Sequence, residues 1–261
     1  MKFKSAILVT ATLLLSGCAY NTQTTSGQNY LDRYAESDAY RHMSETDAEI
    51  YQIANIEPDL KFPARIGLAR IASTGSQYNP KLNLTPIPAD EGAIWSNLIE
   101  REAHRYGEFV PVSPMITEMV SGNDANDVKS VVANIRKGAA RQHLDYVLVY
   151  EVVSNDKRTS NDLGFTDATI LGLFLIPSRK VEVDTVASAI LLDVRNGYPY
   201  MTASSFAEHK SHSTLSGSKT KKMKLADKGR VESIRKLSVD VENGFQDLKD
   251  AAYEKLVAEG Y

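Results

Sequence analysis

Hydrophobic and polar positions along the chain fall into two periods, and the changes of period mark out the elements. Ala64-Arg-Ile-Gly-Leu-Ala-Arg-Ile71 is mostly apolar and reads as a strand. Gly75 to Ala89 carries Pro80, Pro86 and Pro88 and reads as a loop. Asp90 is placed to cap a helix running to about Tyr106, with Ile94, Trp95, Leu98, Ile99 and Tyr106 near one face. Gly107 ends that helix, and Phe109 to Val112 predicts a short edge strand, because Pro111 has no N–H to donate. The polar stretch Ser121 to Asn126 precedes a second helix that aligns Val128, Val131, Val132 and Ile135. Tyr146 to Val153 is almost continuously apolar, as in a central strand covered on both faces.

The second half continues in the same way. A polar loop, Ser154 to Asp162, leads to the apolar segment Ala168 to Pro177. That segment reads either as a core strand or as an exposed surface for oligomerisation or membrane contact through Leu171, Leu173 and Phe174. Val181 to Val194 predicts a long strand whose apolar phase slips near Asp184, as at a bulge. Asn196-Gly197 predicts a tight hairpin into a return strand from Pro199 to about Glu208. Residues 210–222 read as a Ser-, Thr- and Lys-rich loop. A C-terminal helix follows, in which Ile234, Leu237, Val241, Phe245, Leu248, Ala252 and Leu256 recur at three- and four-residue intervals. This narrow seam suits packing on a sheet, with a partner helix as the alternative, and Gly244 marks a possible kink. The pattern predicts an α/β (α+β) fold of order β-α-β-α-β-(β)-β-β-α with a long C-terminal helix.

The N-terminus has a different grammar. Lys2 and Lys4 precede the apolar run Ala6 to Leu15, which suits a signal sequence and is too short to span a bilayer as a mature helix. Leu15-Ser-Gly-Cys18 then resembles the bacterial lipobox, in which the Cys is acylated and becomes the new N-terminus. Cys18 is the only cysteine of 261 residues, which excludes an intramolecular disulfide and a cysteine-based zinc site. The organisation expected is a lipoprotein signal peptide over residues 1–17, a tether and N-terminal segment over 18–60, and one α/β domain over 61–261. Tyr20 to Gln28 is polar and reads as the flexible part of the tether. Ser44 to Ile53 suits a short helix capped by Ser44 and Asp47, and the scattered Tyr30, Tyr34, Tyr40 and Tyr51 are either packing residues or a partner face. Ala19 follows the cysteine rather than Asp, which favours an outer-membrane, lipid-anchored protein facing the periplasm.

Composition narrows the chemistry. A formal charge of −3, made more acidic by removal of Lys2 and Lys4, argues against nucleic acid as a partner. His209 and His212 alone among the histidines lie close together, but three apart on a strand they face opposite sides, so no metal is assigned. Gly217-Ser-Lys-Thr220 lacks the upstream glycine of a phosphate loop. No GxSxG or HExxH motif is present, and Glu100, Glu102 and Asp193 show no spacing that divides acid from base roles. No catalytic residue and no cofactor are therefore assigned. Lys219, Lys221, Lys222 and Lys224 form a basic run, read as a solvated loop or as a contact with anionic headgroups or a glycan.

The element order, with Arg65-Ile-Gly-Leu68, Asp145-Tyr-Val-Leu-Val-Tyr150, Ile170-Leu-Gly-Leu-Phe-Leu-Ile-Pro177 and Asp193-Val-Arg-Asn-Gly197, resembles the rhombotarget lipoprotein family over about residues 60–258. The α/β domain is similar to those of the curli-secretion lipoprotein, the activator lipoproteins of penicillin-binding proteins and the N-terminal domain of TolB. The resemblance implies a non-enzymatic envelope protein that binds or scaffolds other envelope proteins. The Gly-Gly, apolar and basic tail of rhombosortase substrates is absent from the C-terminus. The expected contact surfaces are edge strands, Leu171, Leu173 and Phe174, and the seam residues Ile234, Leu237, Val241 and Leu248. The rival readings are an oligomeric secretion or export component and a periplasmic hydrolase acting on glycan or peptide.

Overall fold

The computed structural model describes residues 19–33, 44–76, 79–121, 128–154, 185–207 and 218–258. The elements are β1 (Ala19–Thr22), α1 (Gly27–Asp32), α2 (Glu45–Ala54), β2 (Ala64–Ser76), β3 (Asn79–Thr85), α3 (Ala89–Tyr106) and β4 (Gly107–Pro111). They continue with α4 (Pro114–Val120), α5 (Val128–Arg141), β5 (Tyr146–Ser154), β6 (Thr185–Asp193), β7 (Pro199–Ala207) and α6 (Ser218–Ala258). The strands form one mixed seven-stranded sheet in the order β1-β7-β6-β5-β2-β3, with β4 also paired to β2. β5 lies between parallel β2 and antiparallel β6, the central position its apolar run predicts.

Strand periodicity sorts the side chains of that strand onto two faces. Tyr146, Leu148 and Tyr150 join Ile66 and Leu68 under α3 and α6, where Trp95, Leu98, Ile234, Leu237, Val241 and Phe245 close the larger core. Val147 and Val149 join Ala69 and Ile71 on the opposite face, against Val131, Ile135 and Ala139 of α5. The architecture is thus three layers, helices on either side of a sheet. Tyr106, Phe109 and Phe62 pack around Phe245 at centroid separations of 5.3, 5.7 and 6.3 Å, joining α3, β4 and α6 into one aromatic cluster.

Several expectations are corrected. Residues 79–85, expected in a loop, form β3 and pair with β2 from Arg70↔Thr85 to Ser76↔Asn79. Leu82 is buried in the α5-side core, with Leu84 packed against it, and Pro80, the one proline of β3, is tolerated because β3 is an edge strand. α4, with Ser113 Oγ accepting from the Ile116 N–H as its cap, is a helix the sequence reading omits. α6 starts at Ser218, so the lysine run lies in a helix rather than a loop. Gly244 interrupts nothing: α6 continues through it, and a Cβ there would sit 2.1 Å from Met201 Sδ, so the glycine serves close helix-to-sheet approach. The pairing irregularity of the hairpin falls between Leu191 and Leu192, whereas Asp184 lies outside the described residues.

The largest correction concerns the tether. Tyr20 to Gln28 does not hang free of the domain. β1 adds to the sheet edge, with Ala19 opposite Ser204 and Thr22 opposite Met201, and α1 follows with Ser26 as its cap. Buried tyrosines fasten this segment and the one before β2 to the sheet. Tyr198 Oη donates to Thr25 O at 2.8 Å. Tyr200 Oη accepts from the Asp59 N–H at 2.8 Å, and Tyr146 Oη accepts from the Lys61 N–H at 2.7 Å and donates to Asp59 O at 3.1 Å. The polar composition that suggests a linker instead supplies backbone partners to phenols anchored in the core.

Burial pushes the Tyr146 hydroxyl up to about 12 from the ordinary 10.0 and raises Tyr200 and Tyr198 in the same direction. A raised phenol favours the protonated folded state, so this stabilisation is complete below pH 10.0 and is lost as pH rises through the folded value. The urea midpoint should therefore fall between pH 10.0 and about 12, and Tyr146→Phe should show a shallower fall over that interval. An unchanged midpoint across the interval would contradict the assignment.

Candidate functional site

β2 changes neighbours midway, and the change opens a cleft. Ala64 to Leu68 pair with parallel β4, whereas Arg70 to Ser76 pair with antiparallel β3. At this fork the strands part around a space of about 510 Å³. Its walls are Leu68 and Arg70 of β2, Thr85 to Ala89 leading into α3, Trp95 and Ile99 of α3, and Phe109 to Pro114 leaving β4. Prolines at 86, 88, 111 and 114 remove N–H donors from the rim, leaving a surface that is mostly apolar. α4 continues from this rim and carries Met115 and Met119, 79% and 75% exposed, four residues apart on one helix face.

Through Arg70 and Thr85 the cleft wall is tied to a buried ion network behind it. Glu91, in the first turn of α3, is fully buried. Its carboxylate accepts from Arg70 Nε at 2.8 Å, Arg230 Nη1 at 2.7 Å and Tyr150 Oη at 3.0 Å. Arg70 Nη1 also donates to Thr85 Oγ1 at 3.0 Å, tying β2, β3 and α3 together at the fork. Arg230 extends the network to Asp90 and Asp227, joining α6 to the start of α3. The Arg230 guanidinium holds the Asp90 carboxyl below its usual range. Burial, reinforced by the Glu91 carboxylate, raises the Tyr150 phenol above the ordinary range. A buried charge is tolerated only with such matched partners, so the network fixes the geometry of the cleft.

A second buried polar feature crosses the opposite face of the sheet. Glu151, Ser188 and Ser204 are register neighbours on β5, β6 and β7, each at most 3% exposed, and Ser204 in turn faces Ala19 of β1. Asp193 is also buried, but its carboxylate is taken by the turn: Arg195 Nη2 donates to it at 2.8 Å and the Arg195 N–H at 2.8 Å. Glu102 pairs with Arg105 and Glu100 is exposed, so the carboxylates weighed in the sequence each have a local place. Among the described residues no group of three His, Cys, Asp or Glu is placed to hold a metal ion.

The seam residues are placed unambiguously. Ile234, Leu237, Val241 and Leu248 are all 0% exposed in the core beneath α6, so they pack on the chain's own sheet and present no contact surface to a partner. The apolar period records burial, and a sheet supplies it as well as a helix does. Cys18, Leu171, Leu173 and Phe174, with His209 and His212, lie outside the described residues. The segment bearing Leu171 to Phe174 leaves β5 at Ser154 and returns into β6 at Thr185, two residues that are register partners at one end of the sheet.

What the geometry defines is a three-layer α/β domain with an apolar cleft at a forked sheet edge. The chain matches no protein-family model and no curated protein, so the rhombotarget resemblance rests on sequence motifs alone. Among solved structures it is similar to a PelC dodecamer from Paraburkholderia phytofirmans, at 14% identity over 69% of this chain and 91% of that one, with a TM-score of 0.30. It is also similar to lipoprotein GNA1162 from Neisseria meningitidis, at 16% identity over 64% of this chain and 94% of that one, again with a TM-score of 0.30.

Replacing Glu91 with Ala leaves the largely covered guanidinium groups of Arg70 and Arg230 without their buried counter-charge. The substitution should lower stability by about 3–5 kcal/mol, read from urea unfolding, whereas Glu100→Ala on the exposed face of the same helix should change it by less than about 0.5 kcal/mol.

Proposed function

We propose that this chain is an envelope lipoprotein, anchored through acylated Cys18, whose work is to bind an envelope protein at the β3/β4 fork. The observation that carries the binding role is the fork itself: an apolar cleft of about 510 Å³ beside the exposed Met115 and Met119. Paired methionines offer polarisable, unbranched side chains that adapt to a partner's shape, and prolines along the rim keep competing backbone donors out. Edge strands β3 and β4 flank the cleft and add backbone groups for an extended segment of the partner. The anchor reading comes from the Leu15-Ser-Gly-Cys18 motif. The residue after the cysteine favours the outer membrane, with the domain in the periplasm. Among the described residues no helix is long and apolar enough to cross a membrane.

Two measurements test this reading. Intact mass of the protein extracted from membranes should show residues 1–17 removed and acyl chains added at Cys18, and Cys18→Ser should abolish both changes. A photo-crosslinking residue in place of the exposed Ser96, on the cleft wall, should capture one recurrent envelope protein in cells. Met115→Asp with Met119→Asp should remove that adduct while shifting the unfolding free energy by no more than about 0.5 kcal/mol, the usual range for exposed positions. Retention of the same adduct in the double variant would move the binding surface elsewhere.

A further inference from the structure

The lysine run at the start of α6 and the anchor end of β1 lie at the same end of the molecule. Ala19 is opposite Ser204 in the sheet, and the next residue of β7, Ser205, donates through Oγ to Ser233 O of α6 at 2.6 Å. Farther along, Met201 of β7 lies against Gly244, so α6 runs antiparallel to β7 and its N-terminus points toward the Cys18 end. Fifteen residues separate Ser218 from Ser233, roughly 22 Å of helix. The first turns of α6 therefore lie well beyond the Ser205 contact, toward the end of β7 at which Ala19 begins β1. Arg230, held by Glu91 and Asp90, fixes the helix just behind this extension.

These turns hold Lys219, Lys221, Lys222, Lys224 and Lys228 against one acid, Asp227, whose carboxylate is bonded to Arg230. Lysines at a helix N-terminus oppose the helix dipole, and the first turn contains no acid to offset them. Lys224 and Lys228 are four residues apart, share one helix face and are exposed. Helix stability does not favour this arrangement, but an anionic surface beside it does.

We propose that the N-terminal turns of α6 form a docking surface for anionic phospholipid headgroups, holding the domain in a fixed orientation on the membrane into which Cys18 is anchored. The inference rests on the anchor reading above and adds to it a second, electrostatic contact. The acyl chains at Cys18 attach the protein but leave the domain free to turn, whereas each lysine near an anionic surface strengthens attraction about fivefold and so sets which face meets the membrane. With β1 entering the sheet one residue after the anchor, little chain is left to hold the lysines away from the headgroups.

The test uses the full chain purified from membranes in detergent, with intact mass first reporting whether Cys18 is acylated. The same protein is reconstituted into vesicles of phosphatidylethanolamine alone and of phosphatidylethanolamine mixed with phosphatidylglycerol, and lysine acetylation is read by peptide mass. Acetylation at Lys219 to Lys228 should slow at least about fivefold in the phosphatidylglycerol vesicles, while Lys249 near the other end of α6 reacts equally in both. Lys221→Gln with Lys224→Gln and Lys228→Gln should abolish the slowing at Lys219 and Lys222, and the three Lys→Arg replacements should preserve it. Equal reactivity of these lysines in the two vesicle types overturns the proposal, including when they are shielded in both by a retained macromolecule. If the mass shows no acylation, the anchor reading fails separately. Vesicles added to that soluble protein then decide the surface alone, with phosphatidylglycerol-dependent slowing in its favour and equal reactivity against it.

Discussion

Burial of β5 on both faces is the constraint from which the rest of the structure follows. Its residues from Tyr146 to Tyr150 are each at most 1% exposed, and strand geometry sends alternate side chains to opposite sides. Each side must then be covered by a separate layer, α3 with α6 on one and α5 on the other. That requirement accounts for the seam along α6, the apolar stripe of α5 and the parallel pairing of β2 with β5 across a helical connection.

Polar groups within this apolar frame are kept where they join elements that hydrophobic contact alone would leave free to slide. Glu91 binds cations from β2 and α6 and a hydroxyl from β5, fixing the register of three elements on one carboxylate. The phenols of Tyr146, Tyr198 and Tyr200 do the same for irregular backbone at the other end, satisfying groups at Thr25, Asp59 and Lys61 that burial exposes to an energetic cost. The two ends of the molecule thereby acquire different characters. One is fastened by aromatic hydroxyls. The other, toward Cys18, carries the ion network, the lysine-rich turns of α6 and the entry of β1.

Legibility in the sequence followed the strength of the local signal. β5, the hairpin at Asn196-Gly197, helices α3 and α5 and the C-terminal helix were readable because their period or turn chemistry is local. β3 was not, because three prolines and a short alternation outweigh Leu82 and Leu84 until an edge of β2 is present to pair with them. β1 was hidden for a related reason: Ala-Tyr-Asn-Thr carries no strand pattern, and its hydrogen bonds come wholly from β7. Of the contact residues chosen from sequence, the seam was visible as a pattern but its role as core depended on which surface it meets. The fork cleft had no signal beyond its prolines, since its walls come from three separated stretches of chain.

The sequence by itself determined the α/β class and the positions of the central strand and long helix, because each of these is written in neighbouring residues. Only the tertiary structure decided that the polar segment after Cys18 is part of the sheet rather than a tether, and that the α6 seam is internal. It also decided that Glu91 serves three elements and that β2 divides its edge between two partners. Those outcomes depend on hydrogen bonds and burial between residues far apart in the chain, whose energies appear only when the partners are brought together.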